Sequence, residues 1–311
     1  MPWSPCSPEP YPGIGAHWRA RFGQPVRRVG LDPGFPCPHR DPRTGTGCAF
    51  CDPASFTAPS AATGPGRPVA EQLATGIAGL RRQGVNRFAA YFQPRTNTNA
   101  SSGKLVAAWD VATRPPEVVA LCVGTRPDCV PDPVLDLLAE YTGGREVWLE
   151  LGLQSARNAT LRALHRGHDA GQFADACRRA RQRGLLVCAH VILGLPGEDA
   201  ADEAHTAAFL AASGVEGVKL HQLAVVRGTP LEVRWRAGGL AVLDEAEYVD
   251  RTVAFCRQLS SATVLHRLVG DPAQERLLAP HFNKGRVVAA IRRRLRSATG
   301  NENAGPRAGV S

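Results

Sequence analysis

Short apolar runs alternate with longer amphipathic stretches along most of the chain. The short runs are rich in β-branched residues, which is typical of strands in a parallel sheet covered on both faces. Six strands are predicted, near residues 26–31, 87–92, 117–123, 146–153, 186–193 and 217–223. Helices are predicted to begin near Val69, Ser101, Asp132, Thr160, Asp202 and Asp244, several of them with a Ser, Thr or Asp at the N-cap. The order is therefore βα, repeated six times.

Repeated βα units connect right-handedly and gather ligand sites at the carboxyl ends of the strands, whether the barrel closes or stays partly open. The first 24 residues and the tail from Ser297 are rich in Pro, Gly, Ser and Asn and show no regular period, which predicts loose ends. We therefore expect an α/β chain with an N-terminal extension over residues 1–24, a core domain over 25–270, and a C-terminal helix and disordered tail over 271–311.

Composition narrows the classes of function. Of the 311 residues, 43% are hydrophobic, which is enough for a packed body. No run of 18 apolar residues occurs, and Pro and Gly interrupt the N-terminus where a signal peptide needs an apolar stretch, so a cytoplasmic protein without a membrane segment is expected. Nine cysteines in a reducing compartment favour metal binding over disulfides. The net charge of +9 makes a nucleic acid a candidate partner.

A cysteine cluster follows the first predicted strand, in the segment GFPCPHRDPRTGTGCAFC. Ten residues separate Cys37 from Cys48, and two separate Cys48 from Cys51. The tight CxxC pair reaches neighbouring metal atoms, and the Gly- and Pro-rich loop lets the third thiolate approach. Three thiolates on a four-iron cluster leave one iron open to a substrate, whereas a structural zinc site is closed by four ligands.

A structural zinc site is the alternative, because zinc uses the same CxxC spacing and His39 would complete a Cys3His set. The position of the loop at the end of the first strand of a βα array favours catalysis instead.

Polar residues recur near the carboxyl ends of the buried strands, where apolar ones are the rule. Glu150 and Gln154 share one face of WLELGLQS, His190 lies in the strand before GLPGE, and Lys219 lies in GVKLH. The second strand ends at Gln93. The third ends in GTRPD, whose Thr125 and Arg126 offer hydrogen-bond donors. Arg126 would pair with a ligand carboxylate or with Asp128 of its own loop.

These segments together resemble the radical S-adenosylmethionine (SAM) superfamily, and within it a small bacterial family related to the catalytic subunit of elongator. LCVGTRPDCVPD, VWLELGLQS with LHRGHD, HVILGLPGE, GVKLH with RGTPL, and HRL-GD near the end recur in that order after the cysteine loop. The resemblance runs from about Phe22 to Leu295. It implies a partial (βα)6 TIM-like barrel of the radical SAM type with a short C-terminal extension.

The resemblance also implies two cofactors, a 4Fe–4S cluster and SAM. It assigns the cluster to Cys37, Cys48 and Cys51. It places SAM or substrate against Gln93, Thr125, Arg126, Glu150, Gln154, His190 and Lys219. The chain departs from the family pattern at His39, where Asn is common, and at Arg95 and Asn99, where aromatic residues are usual.

The implied reaction begins when an external one-electron reductant, of flavodoxin or ferredoxin type, reduces the cluster. SAM is then cleaved to methionine and a 5′-deoxyadenosyl radical, which abstracts hydrogen from a substrate. The elongator kinship suggests the wobble-uridine side chain of tRNA as substrate, without acetyl transfer, because the acetyltransferase domain of that relative has no counterpart. The basic segment 286–296 would follow phosphates or form a solvated terminal helix.

Two other functions remain open from the sequence. One is radical chemistry on a small metabolite, as in the porphyrinogen oxidases, and the other is a non-catalytic, zinc-binding RNA protein. Cys129, beside the GTRPD loop, is either a hydrogen donor to a radical or a packed thiol.

Overall fold

The computed structural model describes residues 11–41, 43–56 and 66–301, with only the backbone of residues 298–301. Seven parallel strands form its main sheet in the order β1-β2-β3-β4-β5-β6-β8. They are β1 (Val26–Leu31), β2 (Arg87–Phe92), β3 (Val118–Thr125), β4 (Glu146–Gln154), β5 (Leu186–Leu193), β6 (Gly217–Gln222) and β8 (Val264–Arg267). Strands β7 (Val225–Val226) and β9 (Leu277–Ala279) form a separate antiparallel pair.

The sheet curls into a partial barrel. In a flat sheet of seven strands the two outermost strands would lie about 29 Å apart, because neighbouring strands are about 4.8 Å apart. Instead, Nη2 of Arg28 on β1 lies 2.6 Å from Nδ1 of His266 on β8. The predicted α/β partial barrel is therefore confirmed.

Ten helices are present in the described part of the chain, most of them on the outside of the sheet. They are α1 (Ile14–Phe22), α2 (Val69–Arg81), α3 (Ser102–Thr113), α4 (Asp132–Ala139), α5 (Asn158–Ala163), α6 (Ala170–Arg181), α7 (Ala200–Ser213), α8 (Pro230–Arg236), α9 (Glu245–Cys256) and α10 (Lys284–Asn301). Helices α6, α7 and α9 begin with capping boxes at Asp169, Asp199 and Asp244. The predicted start near Asp202 is thus three residues late, and the helix predicted near Thr160 is two helices, α5 and α6.

The six-strand prediction omits β8 from the main sheet, and it also omits the short strands β7 and β9. Strand β8 has only four residues, VLHR, and two of them are polar. Its interior face meets the charged centre of the barrel rather than apolar side chains, so the usual apolar signal of a buried strand is weak. Parallel pairing of Gly217 and Val218 with Val264 and Leu265 fixes its position beside β6.

The N-terminal segment is not entirely loose. Helix α1 covers the amino-terminal end of the barrel, where Trp18 is 2% exposed and packs with Val26, Ala89 and Trp148. The Trp18 indole donates to Glu146 Oε1 at 2.7 Å. Helix α1 was not predicted because Pro and Gly flank it, and tertiary contacts stabilise it.

At the other end of the chain, α10 continues past Ser297 to Asn301, so the helix is longer than predicted. The predicted disordered tail over 302–311 lies outside the described residues, as do residues 1–10 of the predicted N-terminal extension.

Candidate active site

All ten residues singled out from the sequence line one cavity of about 700 Å³ at the carboxyl ends of the strands. They are Cys37, Cys48, Cys51, Gln93, Thr125, Arg126, Glu150, Gln154, His190 and Lys219. They come from the loop after β1 and from strands or loops of β2 to β6. Parallel strands bring their ends to one edge, which is why residues so far apart in sequence converge.

The cysteine loop is held across the cavity by backbone hydrogen bonds. The amide of Ala49 donates to Leu164 O at 3.0 Å, and the amide of Leu231 donates to Ala49 O at 3.1 Å. Within the CxxC turn, the amide of Cys51 donates to Cys48 O at 3.0 Å. The loop thus has fixed partners on two other segments, although it has almost no regular structure of its own.

The sulfur atoms are surrounded by hydrogen-bond donors. Arg166 Nη1 lies 3.2 Å from Cys48 Sγ and Arg126 Nη1 lies 3.8 Å from it, while the Thr96 hydroxyl lies 3.4 Å from Cys37 Sγ. Guanidinium groups stabilise negative charge on sulfur. This donor set suits three thiolates that share an iron–sulfur cluster.

Burial, and after it the nearby Cys48 sulfur, raises the pKa of the Cys51 thiol to about 11. Without a metal, the Cys51 thiol therefore resists ionisation. Arg166 Nε, a buried atom, has no hydrogen-bond partner among the described residues. The crowded thiols and the uncompensated guanidinium fit the cluster that the sequence implies.

His39 contacts the loop after β3 and the loop after α5. Its Nε2 lies 3.0 Å from Asp128 Oδ2, and its ring lies against Gly167, where an added Cβ would approach the ring to 2.6 Å. Gly167 has φ +67°, a conformation that glycine adopts without strain. Asp128 therefore engages one of the two imidazole nitrogens, Nε2, and fixes the ring between Asp128 and Gly167.

One of the two interpretations of Arg126 has a counterpart in the structure, and its pairing with a ligand carboxylate stays a prediction. Its Nε donates to Asp128 Oδ1 at 3.0 Å and its Nη2 to Asp128 Oδ2 at 3.2 Å, so it does tie its own loop. The same side chain also directs Nη1 towards Cys48. Arg126 is 5% exposed, and burial with two acceptors fixes its orientation.

Glu150 lies at the centre of a buried polar layer inside the barrel. Arg28 Nη2 donates to Glu150 Oε1 at 2.7 Å, and Lys219 Nζ donates to Oε2 at 3.0 Å. His190 Nε2 lies 2.8 Å from Oε2, and His266 Nδ1 lies 3.4 Å from Oε1. Both carboxylate oxygens are thus occupied by protein groups. Glu150 therefore positions its neighbours rather than offering a free oxygen to a ligand.

Electrostatics in this layer favour an ionised Glu150. Burial alone would raise its carboxyl pKa, but Arg28 and Lys219 outweigh burial and hold the pKa well below its usual range. Burial, with Lys219 next, lowers the pKa of His190 to about 4, so the imidazole is neutral at pH 7. Burial lowers the pKa of Lys219 to about 8, although Glu150 opposes that shift.

The remaining predicted residues lie at the strand ends beside the cysteine loop. Thr125 Oγ1 lies 2.5 Å from Thr98 Oγ1. Gln154 has φ +76°, and its Nε2 would be 2.8 Å from a Cβ placed on Gly152. Gly152 therefore allows the Gln154 amide to approach the strand closely. Gln93 directly follows β2, and its backbone amide donates to Leu31 O at 2.9 Å.

Sequence reasoning missed several residues of the cavity and the layer. Arg28 lies within β1 and Tyr91 within β2. The one sequence signal for Arg28 was its charge in a buried strand, and Tyr91 gave no such signal. Arg166 lies in LHRGHD, a segment noted for its resemblance but not for its side chains. His266 and Arg267 lie in HRL-GD, which was also noted only for its resemblance, and their strand β8 was not predicted.

No helix in the described part of the chain is long and apolar enough to cross a membrane.

Comparison with known proteins identifies the family. The model of the radical SAM superfamily matches residues 37–210, more than half of the chain, and the model of the radical SAM C-terminal domain matches residues 215–297. The chain belongs to the radical SAM superfamily. It is therefore a radical SAM enzyme, and its cofactors are a 4Fe–4S cluster and SAM.

Protein YhcC of Escherichia coli (strain K12) is 41% identical over 280 residues, which cover 89% of each chain. A tRNA uridine(34) acetyltransferase of Methanocaldococcus infernus is 27% identical over 135 residues, 42% of this chain and 25% of the relative. Among solved structures, an N-terminally truncated Elp3 of M. infernus aligns with a TM-score of 0.67 at 16% identity. That alignment covers 91% of this radical SAM chain and 64% of Elp3, and it shows a shared fold.

Proposed function

We propose that Cys37, Cys48 and Cys51 hold the 4Fe–4S cluster and that SAM binds in the cavity beside them. The observation that carries this assignment is the convergence of the three cysteines on one cavity, with Arg126 and Arg166 directed at Cys48 sulfur. With its three thiolate ligands, a four-iron cluster keeps one iron for SAM. When bound, the two cofactors supply a 5′-deoxyadenosyl radical, for which an external one-electron reductant of flavodoxin or ferredoxin type is needed.

The protein side chains orient the reactants and exclude water. Arg126 and Arg166 stabilise the negative charge on Cys48 sulfur. Gln93, Thr125 and Gln154 present polar groups beside the cysteine loop for the polar parts of SAM. Glu150 holds Lys219 and His190 in fixed positions at the cavity wall. The buried strands beneath keep bulk water from a radical formed in the cavity.

Anaerobic reconstitution tests the cluster assignment. Wild-type protein should gain about four iron and four sulfide per chain, with SAM cleavage after reduction. Cys48→Ser should lose most of the iron and all SAM cleavage. Cys256→Ala is the matched control and should retain both, because Cys256 lies at the end of α9 and does not line the cavity. A colourless wild-type protein with one zinc per chain would contradict the proposal.

For the substrate, we propose the side chain of the wobble uridine of tRNA. The partial alignment with tRNA uridine(34) acetyltransferases and the net charge of +9 support this choice. The basic helix α10 begins at Lys284, which pairs with Asp271 at the cavity rim, so its cationic face starts near the mouth.

Modified nucleosides in bulk tRNA from a deletion strain and its parent test this substrate. A wobble-uridine derivative should disappear on deletion, return with the wild-type gene, and stay absent with Cys48→Ser. Unchanged profiles in all strains would contradict a tRNA substrate and leave a small metabolite as the target.

A further inference from the structure

The side of the cavity formed by β6 and β8 carries more positive charge than the protein neutralises. Lys219 and Arg267 are paired in the register of these strands, and both line the cavity. Arg28 lies in the layer beneath them. Among the described residues, Glu150 is the one carboxylate that contacts this group, through Arg28 and Lys219. Three cations thus share a single anion in the interior of the described chain.

Arg267 has no carboxylate within 4.0 Å among residues 11–41, 43–56 and 66–301, whereas Arg28 and Lys219 both contact Glu150. The two acids at the cavity rim do not serve as its counterions: Asp271 pairs with Lys284, and Glu275 is exposed to solvent. Burial of an uncompensated charge is costly, so a half-buried guanidinium in a cavity favours an anionic ligand.

His221 adds a second, independent observation. It lies two residues after Lys219 on β6, on the same face, and lines the same cavity. Its Nε2 is buried and has no hydrogen-bond partner among the described residues. Burial and then Arg267 lower the pKa of His221 well below its usual value, so the ring is neutral. A neutral ring whose Nε2 carries the proton offers one N–H to a ligand.

We propose that Arg267 and His221 form a subsite for an anionic group of the substrate, a phosphate or a carboxylate. A guanidinium donates two parallel N–H groups to either anion, and a neutral imidazole adds a third donor. Lys219, held by Tyr91 and Glu150, raises the local positive potential. This inference rests on the proposed function, to which it adds that the reacting molecule carries a negative charge close to the site of hydrogen abstraction.

The subsite lies on other elements than the donors that contact the cysteine sulfurs. The cysteine sulfurs contact Thr96, Arg126 and Arg166, which follow β2, β3 and α5. Arg267 and His221 lie on β8 and β6. SAM that chelates the open iron would therefore place its own carboxylate near the first three donors.

Binding of matched ligand pairs to the reconstituted holoenzyme tests the proposal by isothermal titration calorimetry. Uridine 5′-monophosphate against uridine differs only by a phosphate, and orotate against uracil differs only by a carboxylate. At least one anionic member should bind 10- to 100-fold more tightly than its neutral partner, as expected for a charge-assisted contact. The pair that shows the difference identifies the source of the anion.

Arg267→Gln should remove that preference while changing the affinity for SAM less than twofold. His221→Phe should reduce it about tenfold, since it removes the one imidazole donor. Arg114→Gln is the matched control, because Arg114 is exposed at the end of α3, and should leave all affinities unchanged.

Three results would overturn the subsite. The first is that neither pair shows a preference for the anion in wild-type protein. The second is that Arg267→Gln weakens binding of the anionic and neutral ligands equally. The third is that Arg267→Gln weakens binding of SAM as strongly as binding of the anion. The last result would assign Arg267 to the cofactor. None of them depends on tRNA profiles, so a failure of the subsite is distinguishable from a failure of the tRNA hypothesis.

Discussion

At the scale of single residues, Glu150 has the largest electrostatic role in the described structure. It is 1% exposed and contacts Arg28, Lys219 and His190 at 2.7–3.0 Å. A buried ion pair adds little net stability, but removing the carboxylate would leave the two buried cations without a counterion. Its removal should therefore be far more damaging than the loss of a surface ion pair.

Glu150→Gln should lower the free energy of unfolding by about 3–5 kcal/mol, because it leaves Arg28 and Lys219 buried without an anion. Urea denaturation followed by circular dichroism measures the change. Glu71→Gln is the control: its carboxylate is largely exposed, 3.5 Å from Arg67, and the expected loss is below about 1 kcal/mol. Equal losses in the two variants would contradict the role given to Glu150.

Gly167 is a second residue whose identity is fixed by its surroundings. It needs a positive φ, and the His39 ring occupies the space of a side chain. Gly184 provides a matched comparison, since it has φ +75° but nothing within 4 Å of an added Cβ.

Both Gly167→Ala and Gly184→Ala should lose about 1 kcal/mol of unfolding free energy from backbone strain. Gly167→Ala should lose about 1–3 kcal/mol more, because its methyl group displaces His39 from Asp128. Thermal and urea unfolding of the two proteins side by side give the difference. Indistinguishable stabilities would show that His39 moves aside freely.

Not all of these residues were visible in the sequence. Glu150 and Lys219 were found because a charged residue in an otherwise apolar strand conflicts with burial. Arg28 gives the same signal and was missed among the neighbouring basic residues of β1. The contact between His39 and Gly167 joins residues 128 positions apart in the chain. No local pattern reports such a contact.

At the scale of elements, α1 closes the amino-terminal end of the barrel. Glu146 on β4 accepts hydrogen bonds from the Trp18 and Trp148 indoles at 2.7 and 2.5 Å, and His17 Nε2 lies 2.9 Å from it. The helix is short and weakly amphipathic, so these tertiary contacts stabilise it more than its own propensity does. We expect it to be part of the folding core despite its position near the N-terminus.

Trp18→Ala should lower the free energy of unfolding by about 3–5 kcal/mol, the usual cost of removing a buried Trp. Arg19→Ala, at the exposed neighbouring position, should change it by less than about 0.5 kcal/mol. Chemical denaturation of the two variants checks both values. If Trp18→Ala lowered the free energy of unfolding as little as Arg19→Ala, the packing of α1 against the barrel would not contribute to stability.

At the scale of the whole molecule, a net charge of +9 should make any RNA binding strongly salt-dependent. Arg292 and Arg293 are exposed on α10, and α10 begins near the cavity mouth. Their replacement tests the alternative that α10 is only a solvated terminal helix.

Affinity for unmodified tRNA, measured by filter binding over a series of salt concentrations, should fall steeply as salt rises. The double variant Arg292→Gln/Arg293→Gln should reduce the logarithmic slope by about 1 to 2, since each phosphate contact contributes about 0.7–0.9. Arg82→Gln/Arg114→Gln carries the same charge change at the ends of α2 and α3, on the side of the barrel opposite the cavity, and should reduce it less. Identical slopes for the two double variants would show that the RNA does not bind along α10.

The sequence by itself determined the repeating βα order, the cysteine spacing and the polar residues at strand ends, because burial and metal ligation leave local signals in residue type and period. Only the tertiary structure decided that β8 completes the sheet, that α1 closes the barrel, and that Arg28, Arg166 and Arg267 belong to the cavity or its buried layer. These features depend on the curl of the sheet, which joins residues of the first and last strands. Contacts between distant segments stabilise them, and no window of sequence contains both partners.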